Sequence, residues 1–289
     1  MVRKSEIAFA KFHGLGNDFI IAEGRGLPRS LPDLAKSITD RHTGIGADGF
    51  LVVLPPRNRR HDARVRFFNA DGSEPEVSGN GLRCVGAYLV AAKPSRRELK
   101  IETAAGVKWL KLIRAERGRW TFEVGMGEPI LRADQIPFRA DDFPSPVVRF
   151  PLQTVLGEFP VTVTSMGNPH CSVFVDDFDS LDWRGLGREI EGHALFPNRT
   201  NVEFVKVISR REIEVRFWER GVGETMSSGT GSCGAAVASI LNGLTERKVS
   251  VRTMAGNLEI GWPENGEVTL TGPAERVASG TYYDNHETL

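Results

Sequence analysis

Two short glycine-rich stretches carry the residues best suited to chemistry. Ser78-Gly79-Asn80-Gly81 recurs 150 residues later as Ser228-Gly229-Thr230-Gly231. Small and apolar residues without proline follow each copy, which favours a helix. The first turn of a helix has backbone N–H groups without acceptors and the positive end of the helix dipole. Each stretch is therefore predicted to bind a carboxylate or a phosphate.

The repeat extends well beyond these stretches. Val65-Arg66-Phe67-Phe68 recurs at the same offset as Val215-Arg216-Phe217-Trp218. Gly16-Asn17 precedes an apolar run, and so does Gly167-Asn168. A repeated strand, loop and helix indicates duplication of a whole lobe. We expect two related halves that bring both anion-binding turns to one cleft.

The elements that must position these turns are mostly short strands. Helices are predicted at 31–39, 82–92 and 232–241, and strands at 8–12, 19–22, 50–54, 65–68, 99–103, 107–113, 120–124, 161–164, 171–175, 202–207, 213–218, 249–253 and 268–271. This pattern favours an α+β chain in which each half wraps strands around one central helix. The predicted domains are residues 1–129 and 130–274, and a last strand at about 275–289 returns to the first lobe.

Composition excludes several classes of function. The 289 residues are 40% hydrophobic, enough for a core in each half. The 37 basic and 37 acidic residues cancel, so neither nucleic acid nor an anionic membrane is a predicted partner. No apolar stretch approaches the length of a membrane span, and the first ten residues lack the apolar core of a signal peptide. A cytoplasmic location is therefore expected.

Other motifs do not support a different chemistry. Cys84, Cys171 and Cys233 lack metal-ligand spacing and are expected to be buried and reduced, and no metal site is predicted. The stretch 44–49 matches G-x-G-x-x-G, but a helix is predicted before it and a strand after it, the reverse of a dinucleotide site. Ser228 lacks the first glycine of a hydrolase G-x-S-x-G motif.

Five motifs closely resemble diaminopimelate epimerase. They are Lys11-Phe12-His13-Gly14-Leu15-Gly16-Asn17-Asp18-Phe19, Asn69-Ala70-Asp71-Gly72-Ser73-Glu74, Gly79-Asn80-Gly81-Leu82-Arg83-Cys84, Gly167-Asn168-Pro169-His170-Cys171 and Glu219-Arg220-Gly221-Val222-Gly223-Glu224-Thr225. They occur in the family's order and span nearly the whole chain. The resemblance implies two pseudo-symmetric lobes, each a strongly curved, mostly antiparallel sheet around a central helix, and often a homodimer.

The same resemblance implies a cofactor-independent amino-acid epimerase of lysine biosynthesis. The family interconverts LL- and meso-diaminopimelate: one cysteine thiolate removes the α-proton, and a second thiol delivers a proton from the other face. In this chain the two cysteine positions are Ser78 and Ser228. Because a serine hydroxyl is a much weaker acid than a thiol, we expect low activity. His170 and Glu219 are candidate catalytic residues, and Asp71, Glu74, Glu76 and Glu224 are nearby ionisable groups.

The resemblance also implies the substrate contacts. Arg220 would form a bidentate pair with the distal carboxylate. The other side chains that would hold the ammonium and carboxylate groups are Asn17, Asn69, Asn168, Asn201 and Glu219. Backbone N–H groups would bind the carboxylate on the reacting carbon, from Gly79, Asn80, Gly229 and Thr230. The alternatives are that the glycines serve only turns, the asparagines cap turns, Arg220 pairs with Glu219 and His170 is structural.

Two accounts of the paired serines stay open. One is deliberate replacement of both cysteines, which would trap ligand without turnover; the other is natural divergence. Both keep the ligand site. Two alternative functions are a non-catalytic amino-acid-binding homologue and a related imino-acid epimerase or dehydratase. Arg220 and Glu219 argue against the last, because a small ring has no distal carboxylate.

Overall fold

The computed structural model describes residues 5–28, 30–139, 143–264 and 266–284. The chain divides into two compact units, one of Met1–Val124 with Gly272–Leu289 and one of Gly125–Thr271. As domain boundaries, the predicted ranges 1–129 and 130–274 stay a prediction. Residues 285–289 of the predicted last strand lie outside the described residues.

The first unit contains seven of the strands and two helices in chain order. They are β1 (Ser5–Gly14), β2 (Asn17–Glu23), α1 (Leu31–Thr39), β3 (Gly49–Leu54), β4 (Ala63–Asn69), α2 (Gly79–Ala92), β5 (Glu98–Thr103), β6 (Gly106–Glu116) and β7 (Arg119–Gly127). The strands lie side by side in this order, and β2–β3 and β4–β5 are the parallel pairs.

The second unit repeats this order with two additional strands, the first and the seventh of its strands and helices. Its elements are β8 (Phe150–Thr154), β9 (Gly157–Ser165), β10 (Pro169–Phe174), α3 (Trp183–Glu191), β11 (Asn201–Ser209), β12 (Glu212–Glu219), β13 (Gly223–Thr225), α4 (Gly229–Leu241), β14 (Lys248–Thr253), β15 (Gly256–Gly261) and the start of β16 (Val268–Asp284). The parallel pairs are β10–β11 and β12–β14. They occupy the same places in the strand order as the parallel pairs of the first unit.

Each unit wraps its sheet around one helix. In the first unit, β16 beyond Gly272 pairs with β1 and adjoins β7, which closes an eight-stranded barrel. Every residue of α2 from Gly79 to Ala87 is buried, and so is every residue of α4 from Gly231 to Ser239. A helix buried on all sides must be surrounded by the sheet. The predicted α+β fold of two pseudo-symmetric lobes, each around a central helix, is confirmed.

Most predicted elements are confirmed, and one helix was missed. α1 has the predicted bounds and leads through the glycine loop to β3, so the reversed order that argued against a dinucleotide site is correct. α3 was not predicted because Gly185 and Gly187 lower helix propensity. A Cβ at Gly187 would lie 2.9 Å from Trp218, so packing requires glycine there. α3 occupies the same place in the second unit as α1 does in the first. The repeat was therefore a signal from which α3 could have been predicted.

The repeated residues pack in the same way in both units. A Cβ at Gly81 would lie 2.9 Å from the Phe67 ring, and one at Gly231 would lie 2.9 Å from the Phe217 ring. The aromatic residue and the glycine therefore recur together because the helix start lies directly on the ring. No helix in the described parts of the chain is long and apolar enough to cross a membrane.

We expect Gly231→Ala to lower the free energy of unfolding by about 1–2 kcal/mol, because the added methyl group overlaps the Phe217 ring. Alanine has the higher helix propensity, so a net loss would show that the ring contact dominates. Urea unfolding measures the change. Gly192→Ala is the control, since its Cβ would lie 3.9 Å from its nearest neighbour. Equal stability of the two variants would contradict the packing argument.

Candidate active site

Ser78 and Ser228 are the N-cap residues of the two central helices. Their backbone angles are nearly identical, φ −132° and ψ 124° for Ser78 against φ −129° and ψ 128° for Ser228. The Gly81 N–H donates to Ser78 Oγ at 3.1 Å, and the Gly231 N–H donates to Ser228 Oγ at 3.2 Å. The serines therefore occupy equivalent positions in the two units.

The amides that follow each serine are oriented for an anion. Gly79 and Asn80 begin α2, and Gly229 and Thr230 begin α4, so their N–H groups have no acceptor inside the helix. The dipole of each helix adds partial positive charge at this end. Each turn can therefore bind one carboxylate through two backbone N–H groups.

The two serines differ in their ionisable neighbours. Ser228 is buried, and its Oγ donates to Glu219 Oε2 at 3.0 Å. Thr225 Oγ1 donates to the other oxygen of Glu219 at 2.6 Å. Ser78 is half-buried, and no carboxylate among the described residues lies within hydrogen-bonding distance of its hydroxyl. Among the described residues, a carboxylate that can accept the serine proton is therefore found in the second unit and not in the first.

Three of the four other acidic candidates have partners of their own. Glu74 accepts two hydrogen bonds of 2.7 Å from Arg66, which lower the pKa of its carboxyl group. Glu224 is paired with Arg184 in the same way, and its pKa is also lowered. Hydrogen bonds from Ser73 lower the pKa of Asp71. Glu76 is exposed. The three paired groups therefore form local contacts in the segments around the helix starts.

A buried arginine orients the polar side chains of the first unit. Arg83 has no exposed surface, and it donates to Pro273 O at 3.0 Å, to Gly79 O at 3.3 Å and to Asn80 Oδ1 at 2.7 Å. Asn80 Nδ2 in turn donates to Asn17 Oδ1 at 3.1 Å. Because arginine can only donate, it determines which end of each amide is the acceptor.

The glycine loop between α1 and β3 holds the other end of Asn17. Asn17 Nδ2 donates to Asp48 Oδ2 at 2.8 Å, and Arg41 pairs with the other oxygen of Asp48 at 2.8 Å. Asp18 binds Lys11 at 2.9 Å and Arg41 at 3.1 Å. Burial raises the pKa of Asp18, but these hydrogen bonds bring it below its ordinary value. The loop therefore positions Asn17 rather than a nucleotide.

A histidine holds the equivalent asparagine of the second unit. His170 Nε2 lies 3.0 Å from Asn168 Oδ1, and Asn168 Nδ2 donates to Thr230 Oγ1 at 3.5 Å. On its other side, His170 Nδ1 lies 2.6 Å from Glu203 Oε1. His170 and Glu203 are both completely buried. Burial raises the pKa of Glu203, and His170 acts in the opposite direction.

Three predicted ligand residues remain. Asn201 is buried, whereas Arg220 and Asn69 are exposed. Asn201 is buried; it donates to Pro169 O at 2.9 Å and accepts the Arg220 N–H at 3.0 Å. The Arg220 side chain is exposed and donates from Nη1 to Asn198 O at 3.1 Å. Within the described residues, Arg220 and Glu219 form no ion pair, so that alternative is wrong. Asn69 is exposed and donates to Ser73 Oγ at 2.9 Å.

Comparison with known proteins identifies the family. The family model described as diaminopimelate epimerase matches residues 9–131 and 162–277. The chain belongs to the diaminopimelate epimerase family. It is 45% identical over 278 residues to the diaminopimelate epimerase of Pelotomaculum thermopropionicum, covering 95% of this chain and 98% of that protein. The corresponding protein of Desulforudis audaxviator is 47% identical over 288 residues, with 95% and 98% covered.

Solved structures of lower identity share the fold. A hydroxyproline epimerase from Agrobacterium vitis gives a TM-score of 0.69 at 16% identity and covers 99% of this chain and 95% of its own. A methylitaconate-delta-isomerase gives a TM-score of 0.67 at 14% identity, with 99% and 98% covered. At these identities the likeness concerns the fold alone.

The chain's own cysteines cannot replace the two that the family motif places before the glycine turns. Cys84, Cys171 and Cys233 are buried, as predicted. Burial raises the pKa of Cys84 to about 12 and that of Cys171 well above its ordinary value. Such thiols stay protonated at neutral pH and are poor bases.

No group of three or more His, Cys, Asp or Glu residues in the described ranges could hold a metal ion.

Three residues that position the candidate site were not predicted from the sequence. Asp48 lies in the glycine stretch that matches a nucleotide motif, and Arg83 lies three residues after Asn80, one turn along the same helix. Glu203 is an acidic residue within the apolar run of β11. A charge inside an otherwise buried strand was the available signal.

Proposed function

We propose that this chain is a cofactor-independent isomerase that binds diaminopimelate and acts on its α-carbon. Ser78 and Ser228 take the two acid/base positions. The observation that carries the proposal is the pair of matching N-cap serines, each followed by two amides without helical acceptors, inside the ranges that the family model matches. A cytoplasmic location and a homodimer, both implied by the family, are part of the same proposal.

The proposed binding roles follow from which groups can donate. The amides of Gly79, Asn80, Gly229 and Thr230 bind the carboxylate on the reacting carbon and stabilise the enolate-like charge that forms as the proton leaves. Asn17 and Asn168 add amide groups whose orientation is set by their neighbours. Asn69, Asn201 and Glu219 complete the contacts to the ammonium and carboxylate groups.

The serines make the chemical step slow. A hydroxyl is so weak an acid that a helix start does not ionise it at neutral pH, whereas the same place ionises a thiol. Glu219 can accept the proton of Ser228 through their 3.0 Å hydrogen bond. Ser78 has no such partner in the described chain. We therefore expect ligand binding with slow proton exchange.

A second function, binding of diaminopimelate without turnover, is favoured by the same pair of serines. Both functions keep the ligand contacts and differ only in the exchange of the α-proton. Deuterium incorporation at the α-carbon, followed by proton NMR in heavy water, separates them. Slow but measurable incorporation supports the isomerase, and none above the rate without protein supports the binding protein.

We expect Arg220→Met to weaken diaminopimelate binding about tenfold or more, because the distal carboxylate loses a bidentate donor. Titration calorimetry with diaminopimelate, lysine and hydroxyproline measures the effect, since lysine and hydroxyproline lack a distal carboxylate. Arg211→Met is the control, as Arg211 is exposed and pairs with Glu246 at 2.8 Å. If the unaltered chain bound lysine as tightly as diaminopimelate, the proposed substrate would be wrong.

A further inference from the structure

A deeply buried ionisable pair of the second unit, His170 and Glu203, contacts the proposed ligand residue Asn168 through the histidine. His170 and Glu203 have relative exposures of 0% and 1%. β10 and β11 run parallel, with His170 opposite Asn201 and Ser172 opposite Glu203, so the pair joins neighbouring strands. The imidazole lies against α4, where a Cβ at Gly234 would be 2.9 Å from its Cγ. The ring is therefore held in one place.

The partners of the ring determine where its protons are. Nε2 faces the amide oxygen of Asn168 at 3.0 Å, and an amide oxygen can only accept, so Nε2 must carry a proton. Nδ1 faces a carboxyl oxygen of Glu203 at 2.6 Å, a contact that also requires one proton between the two atoms. The pair thus holds two protons, whichever atom the second one is bonded to.

Burial favours the same number of protons. A pair with one proton fewer would carry a net negative charge, and an uncompensated charge without solvent is strongly destabilising. The carboxylate of Glu219 adds further negative charge nearby, which disfavours ionisation of Glu203. With two protons the pair is neutral and both ring nitrogens are satisfied.

We propose that Glu203 and His170 form a neutral proton-sharing pair whose Nε2–H fixes the orientation of the Asn168 amide. His170 is then a positioning residue: it occupies Asn168 Oδ1 and leaves the Nδ2 end directed toward Thr230 and the start of α4. The consequence for ligand binding rests on the proposed function, in which Asn168 contacts the substrate.

The two units orient their equivalent asparagines by different means. Asn17 Oδ1 accepts from Asn80, and its Nδ2 donates to Asp48. Asn168 Oδ1 accepts from His170 instead. In the first unit the amide oxygen faces the central helix; in the second unit the amide nitrogen does. Each asparagine therefore turns a different end of its amide toward the central helix of its own unit.

Nitrogen NMR of the full chain labelled in its histidines tests the pair without any ligand. At neutral pH we expect His170 Nε2 to carry a slowly exchanging proton. Loss of the signal in His170→Gln assigns it. A bare Nε2, recognised by the chemical shift of an unprotonated ring nitrogen, overturns the proposal.

Two variants separate positioning from packing. The amide nitrogen of glutamine can replace Nε2, whereas the shorter asparagine reaches only the position of Nδ1. We expect His170→Asn to weaken diaminopimelate binding about tenfold and His170→Gln to stay within about threefold of the unaltered chain. Equal losses in both variants, or none in either, overturn the positioning role.

The proposed function and the neutral pair of His170 and Glu203 can be disproved independently of each other. If the unaltered chain binds no diaminopimelate, the proposed substrate is wrong, and the NMR result still decides whether the neutral pair exists. Circular dichroism and urea unfolding establish that both variants are folded. For a variant that does not fold, Glu203→Gln replaces it: a side-chain amide can donate to Nδ1 as the neutral acid does, so Nε2 should keep its proton. Loss of that proton overturns the proposal.

Discussion

The double variant Ser78→Cys with Ser228→Cys should exchange the α-proton of diaminopimelate about 10²–10⁴-fold faster than the unaltered chain. At a helix start, the dipole and the unpaired N–H groups stabilise a thiolate, which can remove a proton at neutral pH. The hydroxyls cannot, although they sit in the same N-cap geometry. Proton NMR in heavy water measures exchange, and separation of LL from meso product measures inversion.

The single variants test the requirement for two groups. Inversion needs one proton donor and one acceptor on opposite faces of the carbon, so each single cysteine should give far less inversion than the pair. Ser227→Cys is the matched control, because it adds a thiol one residue before the N-cap of α4. An increase with Ser227→Cys as large as with the double variant, or no increase with the double variant, would refute the assignment.

Arg83→Leu should lower the free energy of unfolding of the chain by about 3 kcal/mol or more. The substitution removes the donors to Pro273 O, Gly79 O and Asn80 Oδ1, and a buried acceptor without a partner costs about 1–3 kcal/mol. Urea unfolding measures the loss. Diaminopimelate affinity of the folded protein should also fall, because Asn80 and Asn17 lose their fixed orientation.

A surface arginine of the same unit provides the comparison. Arg119 is about half exposed and pairs with Glu275 at 3.4 Å, so Arg119→Leu should cost less than about 1 kcal/mol. Arg83→Lys keeps the charge but loses the planar fork and should fall between the two. A cost for Arg83→Leu no larger than that for Arg119→Leu would show that the buried network does not stabilise the first unit.

The two glycine turns were predictable because their signals are local. A serine followed by glycines and then by small apolar residues specifies an N-cap and a helix within four residues, in both copies. The strand predictions were wrong mainly in the lengths of strands and in how many there are. The last strand was predicted as two pieces, 268–271 and about 275–289, whereas β16 runs without a break from Val268 to Asp284, and β8, β13 and β15 were missed. Gly272, Pro273 and Ala274 join the two pieces, and they carry little strand signal because glycine, proline and alanine are depleted in strands.

The partners of the functional side chains were not predictable in the same way. Glu203 lies 33 residues from His170, and Asp48 lies 31 residues from Asn17. Each contact depends on the register of two parallel strands, and register is determined by burial of whole sheet faces. The sequence alone gave no reason to connect these residues.

The amino-acid sequence by itself determined the duplication, the family, the two helix starts and the serines that cap them. An N-cap is made by residues adjacent in the chain, so its chemistry can be read from composition and order. Only the tertiary structure showed that Glu219 accepts a hydrogen bond from Ser228 and that Arg83 donates one to Asn80. It also showed that Glu203 lies within hydrogen-bonding distance of His170 Nδ1. Those contacts form only when the sheet surrounds each helix, because burial then forces every polar group to find a partner from another part of the chain.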